Sequence, residues 1–404
     1  MGQSKATAAK VKGKGRGYPR ALSSNDPVIL ELWVRAGGRC EFHGCPDYLL
    51  QDKLTTNSAK LADIAHIVAR SKKGPRGDDP LPLSARNEID NLFLACTKHH
   101  RMIDNKKLVR KCPKSLLIEY KRSHEERIKY VTGLGDEHET VVVRLISKIR
   151  GRTVSISNEE IRKAVLTSAG RYPRYLGGEH HIEIDLTSLP ETDQGFWEVG
   201  KARIKDIVNR RLVPAIENKE ARHLSVFAFA RIPFIAYLGR VIGDTIPVDV
   251  YQKQKAGDEG WAWLSSGEAN KFRSLKEREG KNQSKVAIIL SISGRIPIEQ
   301  LAHDITDSFW IYSVMPDGIE PSRNVVRTKA SFDEFKGTYE RLLRKIEADH
   351  PQADLVHVFT AVPIPVALVI GRFVLPDVSP SLLVYDKGHQ KFEPAITLEK
   401  ISKA

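Results

Sequence analysis

The chain has 404 residues, of which 41% are hydrophobic and 28% are charged. This length predicts two or three domains, and this composition excludes a wholly disordered chain. No apolar run approaches the roughly 18 residues that a membrane-spanning helix needs. Four cysteines are too few for a disulfide framework, and the N-terminus lacks the apolar stretch of a secretory signal. We therefore expect a reduced cytoplasmic protein with no membrane partner.

The net charge of +14 is concentrated towards the N-terminus. Residues 1–130 carry 26 basic and 14 acidic residues, which leaves the rest of the chain nearly neutral. This charge indicates a polyanionic partner for the first third of the chain, most simply nucleic acid. A solvated basic face with an unstructured tail would give the same charge.

The first third is predicted to be a tail followed by a small domain. Residues 1–20 are rich in glycine, lysine and alanine and lack apolar periodicity, so we interpret them as a disordered basic tail. Residues 21–133 are predicted to form a domain with helices over residues 27–36 and 113–130, where apolar side chains recur at helical spacing.

Glycines at 133 and 135 end this pattern, and residues 134–180 are predicted to form a connecting segment. Residues 181–404 then alternate strand-like and helix-like runs, which predicts an α/β domain with a largely parallel sheet. The strand-like runs are residues 181–186, 224–230, 248–251, 286–292, 309–314, 355–360 and 382–385. The longest helix-like runs are residues 196–216 and 332–346.

Residues 181–404 contain an internal repeat. The dipeptides Val-Phe, Ile-Pro and Gly-Arg each recur after 132 residues. Their first copies begin at positions 226, 232 and 239, and their second copies at positions 358, 364 and 371. The shared order of strand, proline-marked turn and apolar helix predicts two similar Rossmann-like halves that face each other. Two generic βα units could also resemble each other by chance.

Four residues of the first domain have the spacing of a zinc site. They form two close pairs, Cys40 with Cys45 and Cys96 with His99. Thiolates and imidazole suit tetrahedral Zn²⁺, which would stabilise a small domain that has little core. His43 lies inside the first pair and competes as a ligand, whereas Cys112 lies outside both pairs and is interpreted as a buried thiol.

A second pattern overlaps the first. His66 follows Ile64-Ala65, and Asn91 opens a run that ends with Cys-x-x-His-His at His100. This order resembles the HNH endonuclease family and implies its α+β, ββα-metal fold over residues 40–104. In that family the central Asn holds the loop that carries the general base, so the resemblance gives Asn91 that role.

The residue types fit phosphodiester hydrolysis. A neutral imidazole can accept a proton from water near pH 7, so His66 is the candidate general base. His100 can bind a catalytic divalent ion, most simply Mg²⁺. Many HNH enzymes have a further metal ligand where this chain has Ala65, which leaves Asp63 or Asp104 as candidates. The plainer alternatives are a structural His66 and an Asp104 that caps the helix or orients a histidine.

A basic, glycine-rich loop follows His66. Lys72, Lys73 and Arg76 could bind phosphates beside the scissile bond, and the glycines between them would let the backbone approach the DNA. A solvated charged turn is the alternative. No base-reading helix is evident, so we expect little sequence specificity.

The strand ends of residues 181–404 offer a candidate ligand site, because ligands of open α/β sheets bind beyond the carboxyl ends of the strands. The residues at such positions are Arg231, Pro233, Ser293, Gly294, Pro363 and Pro365. Trp261 and Trp263 offer flat faces on which bases could stack, unless both belong to the core.

From about residue 25 to residue 404 the chain resembles the HNH–SAVED effectors of CBASS antiphage systems. The resemblance implies a SAVED domain over residues 181–404 that is built like two joined CARF domains. It also implies a bacterial effector that binds a cyclic di- or trinucleotide made by a partner nucleotidyltransferase. On binding, such an effector forms a homo-oligomer and degrades double-stranded DNA, which aborts the infection.

Two other functions are compatible with the same motifs. In a modification-dependent restriction endonuclease, the C-terminal region would read modified DNA, although its near-neutral charge counts against this. A non-catalytic DNA-binding adaptor would have a degenerate active site, and the presence of His66, Asn91 and His100 counts against that.

Overall fold

The structure is a computed structural model. It describes residues 22–23, 26–45, 47–52, 54–55, 57–59, 61–174, 176, 181–253, 260–261, 263–264, 267–374, 379–388 and 391–400. Residues 1–20, interpreted as a basic tail, lie outside the described residues. The chain divides between Leu134 and Gly135 into two compact units, called the first and the second unit. No helix in the described part of the chain is both long enough and apolar enough to cross a bilayer.

The first unit contains two antiparallel strands followed directly by a helix. Its elements are α1 (Pro27–Arg35), β1 (Ala62–His66), β2 (Leu92–Cys96), α2 (Thr97–Asp104) and α3 (Lys114–Thr132). β1 and β2 pair from Ala62 opposite Cys96 to His66 opposite Leu92. Because α2 begins immediately after β2 and contacts both strands, the three elements form a ββα arrangement.

A small apolar core closes the first unit. Buried side chains from α1, β2 and α3 meet there, among them Ile29, Leu32, Phe93 and Leu117. The helices predicted over residues 27–36 and 113–130 are present, with ends that differ by one or two residues. Their apolar faces join the same buried cluster as β2, which is buried along its whole length.

The first half of the second unit is a parallel sheet with helices. Its elements are β3 (Glu139–Ile146), α4 (Asn158–Ala169), β4 (Tyr172–Arg174), β5 (Ile182–Asp185), α5 (Phe196–Ile207), a π-helical turn (Val208–Leu212), α6 (Val213–Glu217), β6 (Leu224–Phe229), α7 (Ile232–Ile242) and β7 (Val248–Tyr251). β3 lies at the centre, between β6 on one side and β4 and β5 on the other. β7 pairs with the far edge of β6.

The interpretation of residues 134–180 as a connecting segment is wrong, because β3, α4 and β4 belong to this sheet. Val141, Val142 and Val143 are all buried. A central parallel strand is covered on both faces, so its sequence is a continuous apolar run that lacks the alternation of a half-exposed strand.

The second half of the second unit is a mixed sheet. Its elements are β8 (Phe272–Arg278), β9 (Val286–Ser291), β10 (Trp310–Pro316), α8 (Lys329–Asp349), β11 (Leu355–Ala361), α9 (Ile364–Arg372), β12 (Ser381–Lys387) and β13 (Phe392–Leu398). The strand order is β13-β12-β11-β9-β10-β8. The four inner strands are parallel, and the two edge strands, β8 and β13, run antiparallel to their neighbours. The predicted parallel sheet is therefore the centre of a mixed one.

The sequence repeat corresponds to a repeated βαβ structure. β6-α7-β7 and β11-α9-β12 place α7 directly against α9. A methyl group on Gly239 would lie 2.1 Å from the carbonyl oxygen of Leu368, and one on Gly371 would lie 1.9 Å from that of Ala236. Both pairs are related by the 132-residue offset of the repeat, so the helix contact is approximately two-fold symmetric. Apolar side chains from both sheets form one continuous core around it.

Candidate functional site

The four predicted zinc ligands lie together in the first unit. They come from the loop after α1, the end of β2 and the first turn of α2, and they are Cys40, Cys45, Cys96 and His99. Their candidate ligand atoms all lie within 4.8 Å of one another. The Nδ1 atom of His99 is 3.2 Å from Sγ of Cys96 and 3.5 Å from Sγ of Cys40. Such separations are compatible with four donors that share one cation.

This donor set fits a zinc ion. Three sulfur atoms and one imidazole nitrogen form a common structural zinc set. Burial raises the pKa of the Cys40 and Cys45 thiols, and the neighbouring Cys96 sulfur raises both further. A bound cation would therefore be needed to hold them as thiolates at neutral pH. Phe42 stacks on the His99 ring with centroids 4.2 Å apart and fixes its orientation.

His43 and Cys112 lie outside this group. The His43 ring stacks on Tyr120 with centroids 5.3 Å apart, and His43 is not one of the four clustered donors. Cys112 is buried, and its carbonyl oxygen accepts a hydrogen bond from Arg76. Both residues contribute to packing within the unit.

His66 lies at the end of β1 and near α2. Its Nε2 atom is 3.1 Å from Oδ1 of Asn87, which places the proton on Nε2 and leaves Nδ1 as an acceptor. Burial lowers the pKa of His66 below its ordinary value of 6.5, and the contact with Asn87 opposes this shift. Arg70, His100 and Asp104 are close enough to affect the same pKa. A neutral imidazole near pH 7 is the form that a general base requires.

The candidate ligands of a second cation are only partly brought together. Nε2 of His100 lies 3.5 Å from Oδ2 of Asp104, one turn further along α2. Side chains alternate along β1, so Asp63 points to the face of the strand opposite His66. Asp63 lies on the same face of β1 as Ala65, so its role as a ligand stays a prediction. Asp104 is compatible with that role because it contacts His100.

Asn91 fixes the chain that follows His66. Its Oδ1 atom accepts a hydrogen bond from the Val68 amide at 2.8 Å, and its Nδ2 group donates to the carbonyl oxygens of Val68 and Arg86 at 2.9 and 2.8 Å. The backbone of Asn91 also accepts from Ile67 at 2.8 Å. These bonds hold the two residues that directly follow His66.

Asn87 was not identified from the sequence. It ends the 3₁₀ turn Leu83–Asn87, and its side chain reaches back to His66 across 21 residues of sequence. No motif marks a single asparagine in a polar turn, so only the folded chain brings the two side chains together.

Arg76 is not a phosphate ligand, in contrast to the prediction. Its side chain is buried and donates hydrogen bonds to the carbonyl oxygens of Ile103 at 3.0 Å and Cys112 at 3.1 Å, and also to that of Ile67. These buried carbonyl groups need donors, and a guanidinium supplies several at once. Lys72 and Lys73 are exposed on the same loop and remain available to a polyanion.

A cavity of about 920 Å³ opens at the carboxyl ends of strands in the second unit. The loops after β3, β5 and β6 and the end of β12 line it. The rings of Phe196 and Trp197 line it beside the acidic residues Glu191, Asp193, Asp386 and Glu393 and the basic residues Arg150, Arg231 and Lys387. This volume suits an organic ligand, and the position is where open α/β sheets bind ligands.

Arg231 connects the two halves of the second unit at this cavity. It follows β6 of the first half and donates from Nε to Oε1 of Glu191 at 2.8 Å, while its Nη1 group pairs with Asp386 on β12 of the second half. The guanidinium carbon lies 5.8 Å from the ring centroid of Phe196. Burial raises the pKa of Asp386, although the charge of Arg231 opposes this shift.

A protein-family model for the SMODS-associated and fused to various effectors sensor domain, or SAVED, matches residues 204–398. Residues 204–398 therefore form a SAVED sensor domain. The matched residues extend from α5 to β13 and include the α7–α9 pair. They also include five residues of the cavity, namely Arg231, Asp386, Lys387, Gly388 and Glu393. Residues 135–203, which supply β3, β4 and β5, precede the match and belong to the same compact unit.

Solved structures of Cap4 SAVED/CARF-domain receptors are similar to this chain. The receptor from Acinetobacter baumannii with the cyclic trinucleotide 2'3'3'-cAAA is 13% identical, with a TM-score of 0.44 over 75% of this chain and 61% of that one. The receptor from Moraxella osloensis is 14% identical, with a TM-score of 0.38 over 74% and 60%. The chain thus spans about three fifths of the length of these receptors. A search of curated protein sequences gave no match.

Of the residues predicted to bind the ligand, only Arg231 lines the cavity described above. The others lie at strand ends or helix starts that do not line it, namely Pro233, Ser293, Gly294, Pro363 and Pro365. Two of them, Pro233 and Pro365, are buried in the first turns of α7 and α9. These prolines begin the helices and are not available to a ligand.

Both tryptophans predicted to stack on bases belong to the core. Trp261 is 1% exposed and packs edge-on against Phe227, with ring centroids 5.6 Å apart. Trp263 stacks on Phe332 with centroids 5.4 Å apart. Trp197, in the first turn of α5, lines the cavity instead.

Proposed function

We propose that this protein is a metal-dependent DNA endonuclease that a cyclic oligonucleotide activates, and that it acts as a CBASS-type antiphage effector. The observation that carries the proposal is the joining, in one chain, of a SAVED sensor domain with a ββα unit in which His66 lies near His100 and Asp104. A sensor domain regulates a second activity. The positive charge of the first unit and its candidate general base, His66, suit hydrolysis of a polyanion such as DNA.

In the proposed reaction His66 accepts the proton of the attacking water at Nδ1, because Nε2 is engaged by Asn87. Asn91 holds the backbone after His66, so the imidazole stays oriented. His100 and Asp104 would hold a divalent cation, most simply Mg²⁺, which supplies charge stabilisation at the phosphate. Lys72 and Lys73 would bind neighbouring phosphates of double-stranded DNA.

The zinc cluster has a separate role in this proposal. Cys40, Cys45, Cys96 and His99 connect α1, β2 and the start of α2, which are otherwise held by a small core. Zinc would fix the strand and helix on which the candidate catalytic residues lie.

In the SAVED domain we propose that the cavity around Arg231 binds the activating nucleotide. Its aromatic and basic groups suit bases and phosphates. Cyclic trinucleotides are bound in the Cap4 receptor structures, which makes this class the first to test here. Ligand contacts on both halves would favour a closed form and promote assembly of several chains.

The direct test is a plasmid-cleavage screen with the full-length chain, Mg²⁺ and a panel of cyclic di- and trinucleotides that includes both cAAA isomers. We expect little cutting without nucleotide, and rapid cutting together with increased mass in solution with one member of the panel. The His66→Ala variant should assemble equally and cut about 10²–10⁴-fold more slowly, as for loss of a general base. Robust cutting without any nucleotide, with no change of mass across the panel, would contradict the proposal and favour a restriction endonuclease.

A further inference from the structure

A pair of consecutive backbone amides in the SAVED cavity already holds an anion. Arg150 and Gly151 are the central residues of a tight turn that two hydrogen bonds between Ile149 and Arg152 close, and both have positive φ, 52° and 75°. Both amides donate to the Glu191 carboxylate, from Arg150 to Oε1 at 3.1 Å and from Gly151 to Oε2 at 2.7 Å. Successive amides in this conformation form a concave site for an anion, known as a nest.

The guanidinium of Arg231 completes this site. Nε and Nη2 of Arg231 lie 2.8 and 2.7 Å from the same Oε1 atom of Glu191. Arg231 is also the residue that precedes the first turn of α7, where the helix dipole favours negative charge. Two backbone amides and one arginine fork are the donors that proteins use for phosphate, and here a side chain of the same domain occupies them.

The site remains accessible from the cavity. The side chains of Glu191, Arg231 and Asp386 are 16%, 20% and 21% exposed. Arg150 and Arg231 face the carboxylates of Glu191 and Asp386, so their positive charge is compensated while Glu191 is in place and attracts an anionic ligand only weakly. Asp386 holds Arg231 from the other half, so the guanidinium keeps its position when Glu191 leaves.

We infer that the Arg150–Gly151 nest and Arg231 form a phosphate subsite of the SAVED cavity, and that Glu191 is its internal occupant, which a ligand phosphate must displace. This inference rests on the proposed function, since it adds a phosphate contact to the proposed nucleotide cavity. The exchange needs no covalent step, because one doubly hydrogen-bonded anion replaces another on the same donors. Glu191 thereby sets the affinity threshold at which the sensor responds.

Inorganic phosphate is a probe that tests the subsite without knowledge of the ligand. Isothermal titration would compare the full-length wild-type chain with Glu191→Ala, and with Glu393→Gln as the matched control. Glu393 lines the same cavity from β13, and its removal changes the charge without opening the nest. We expect Glu191→Ala to bind phosphate about tenfold or more tightly than the wild type, because charge-assisted hydrogen bonds become available. The double variant Glu191→Ala/Arg231→Ala should lose this gain.

Equal affinities for Glu191→Ala and Glu393→Gln would overturn the inference, since the effect would then be general charge. Unchanged affinity in Glu191→Ala would overturn it as well. If Glu191→Ala does not fold, Glu191→Ser carries the test, because its short side chain cannot reach the same donors, with thermal unfolding as the check. Binding of the cyclic-nucleotide panel is measured separately, so loss of the proposed function and loss of the phosphate subsite give different results.

Discussion

The two units of this protein obtain their shape by different means. In the first unit the long connection between β1 and β2 contains only short 3₁₀ turns, and buried polar side chains hold it: Arg76, Arg86 and Asn91. In the second unit one apolar core continues through both sheets, and α7 and α9 meet with no space for a methyl group. Hydrogen bonds and candidate metal ligands define the first unit, whereas packing defines the second.

This difference predicts how strongly substitutions should destabilise each unit. A polar or metal-held structure depends on a few side chains, each of which has several partners, so one substitution removes much of it. A packed core distributes its stability over many contacts. The loss of stability on a single substitution therefore depends on how much space surrounds the changed side chain. Substitutions in the two units can test this contrast, from the largest expected effect to the smallest.

The largest effect is expected at the metal cluster. Cys96→Ser should abolish zinc binding and unfold the first unit, because the binding free energy of a structural zinc ion, about 10 kcal/mol or more, is also folding free energy. The SAVED domain should keep its own thermal transition, since its core is separate. Elemental analysis and limited proteolysis of the full-length protein measure the two outcomes.

His100→Ala is the matched control, because His100 follows His99 directly on α2 but faces Asp104. It should keep one zinc per chain and lose only DNA cleavage. Equal zinc loss in Cys96→Ser and His100→Ala would mean that the two adjacent histidines do not divide into a zinc ligand and a ligand of the catalytic cation.

The next effect concerns the packed unit. Gly371→Ala places a methyl group 1.9 Å from the Ala236 carbonyl oxygen, so α7 and α9 must separate. We expect a loss of about 3 kcal/mol in the free energy of unfolding of the second unit, at the upper end for overpacking. Gly294→Ala is the control, since no atom lies within 4 Å of the added methyl group. Chemical denaturation that gave the same midpoint for both variants would argue against a rigid helix contact.

The contrast also explains what the sequence could predict. The clustering of the four candidate zinc ligands and the position of Asn91 beside the chain that follows His66 could be predicted, because the spacing of such residue types carries chemical meaning. The repeat was found because a close helix contact requires glycine at both equivalent positions, Gly239 and Gly371. Such features are local in sequence or are repeated there.

The errors arose where the same residue type serves two purposes. Arg76 in a glycine-rich loop has the appearance of a phosphate ligand, yet it satisfies carbonyl groups from residues up to 36 positions away. Trp261 was expected to stack on bases but lies in the core, because the sequence around a tryptophan does not separate a core aromatic from one that lines a cavity. Glu191 and Asp386 were not predicted from the sequence. They are far from Arg231 along the chain, and only the folded sheets bring the three side chains together.

The smallest effect is expected from a substitution of Asn87, which should change the pH dependence of cleavage by changing the pKa of His66. Since burial lowers the pKa of His66, the neutral base persists below pH 6.5, and the acidic limb of the cleavage profile should lie below that value. A bound divalent cation would lower this pKa further, in the same direction. Asn87→Asp places a carboxylate beside Nε2 at nearly unchanged shape. That charge stabilises the imidazolium and should move the acidic limb about one pH unit upwards.

Asn57→Asp is the control for this last prediction, because it adds the same charge at an exposed position of the first unit. It should leave the limb in place. A structural role for Asn87 would predict loss of rate at every pH, without displacement of the limb. A shift confined to Asn87→Asp, with zinc content and nucleotide binding unchanged, would instead show that the amide sets the protonation of His66. In the first unit a single polar contact would then control the protonation state of the candidate base.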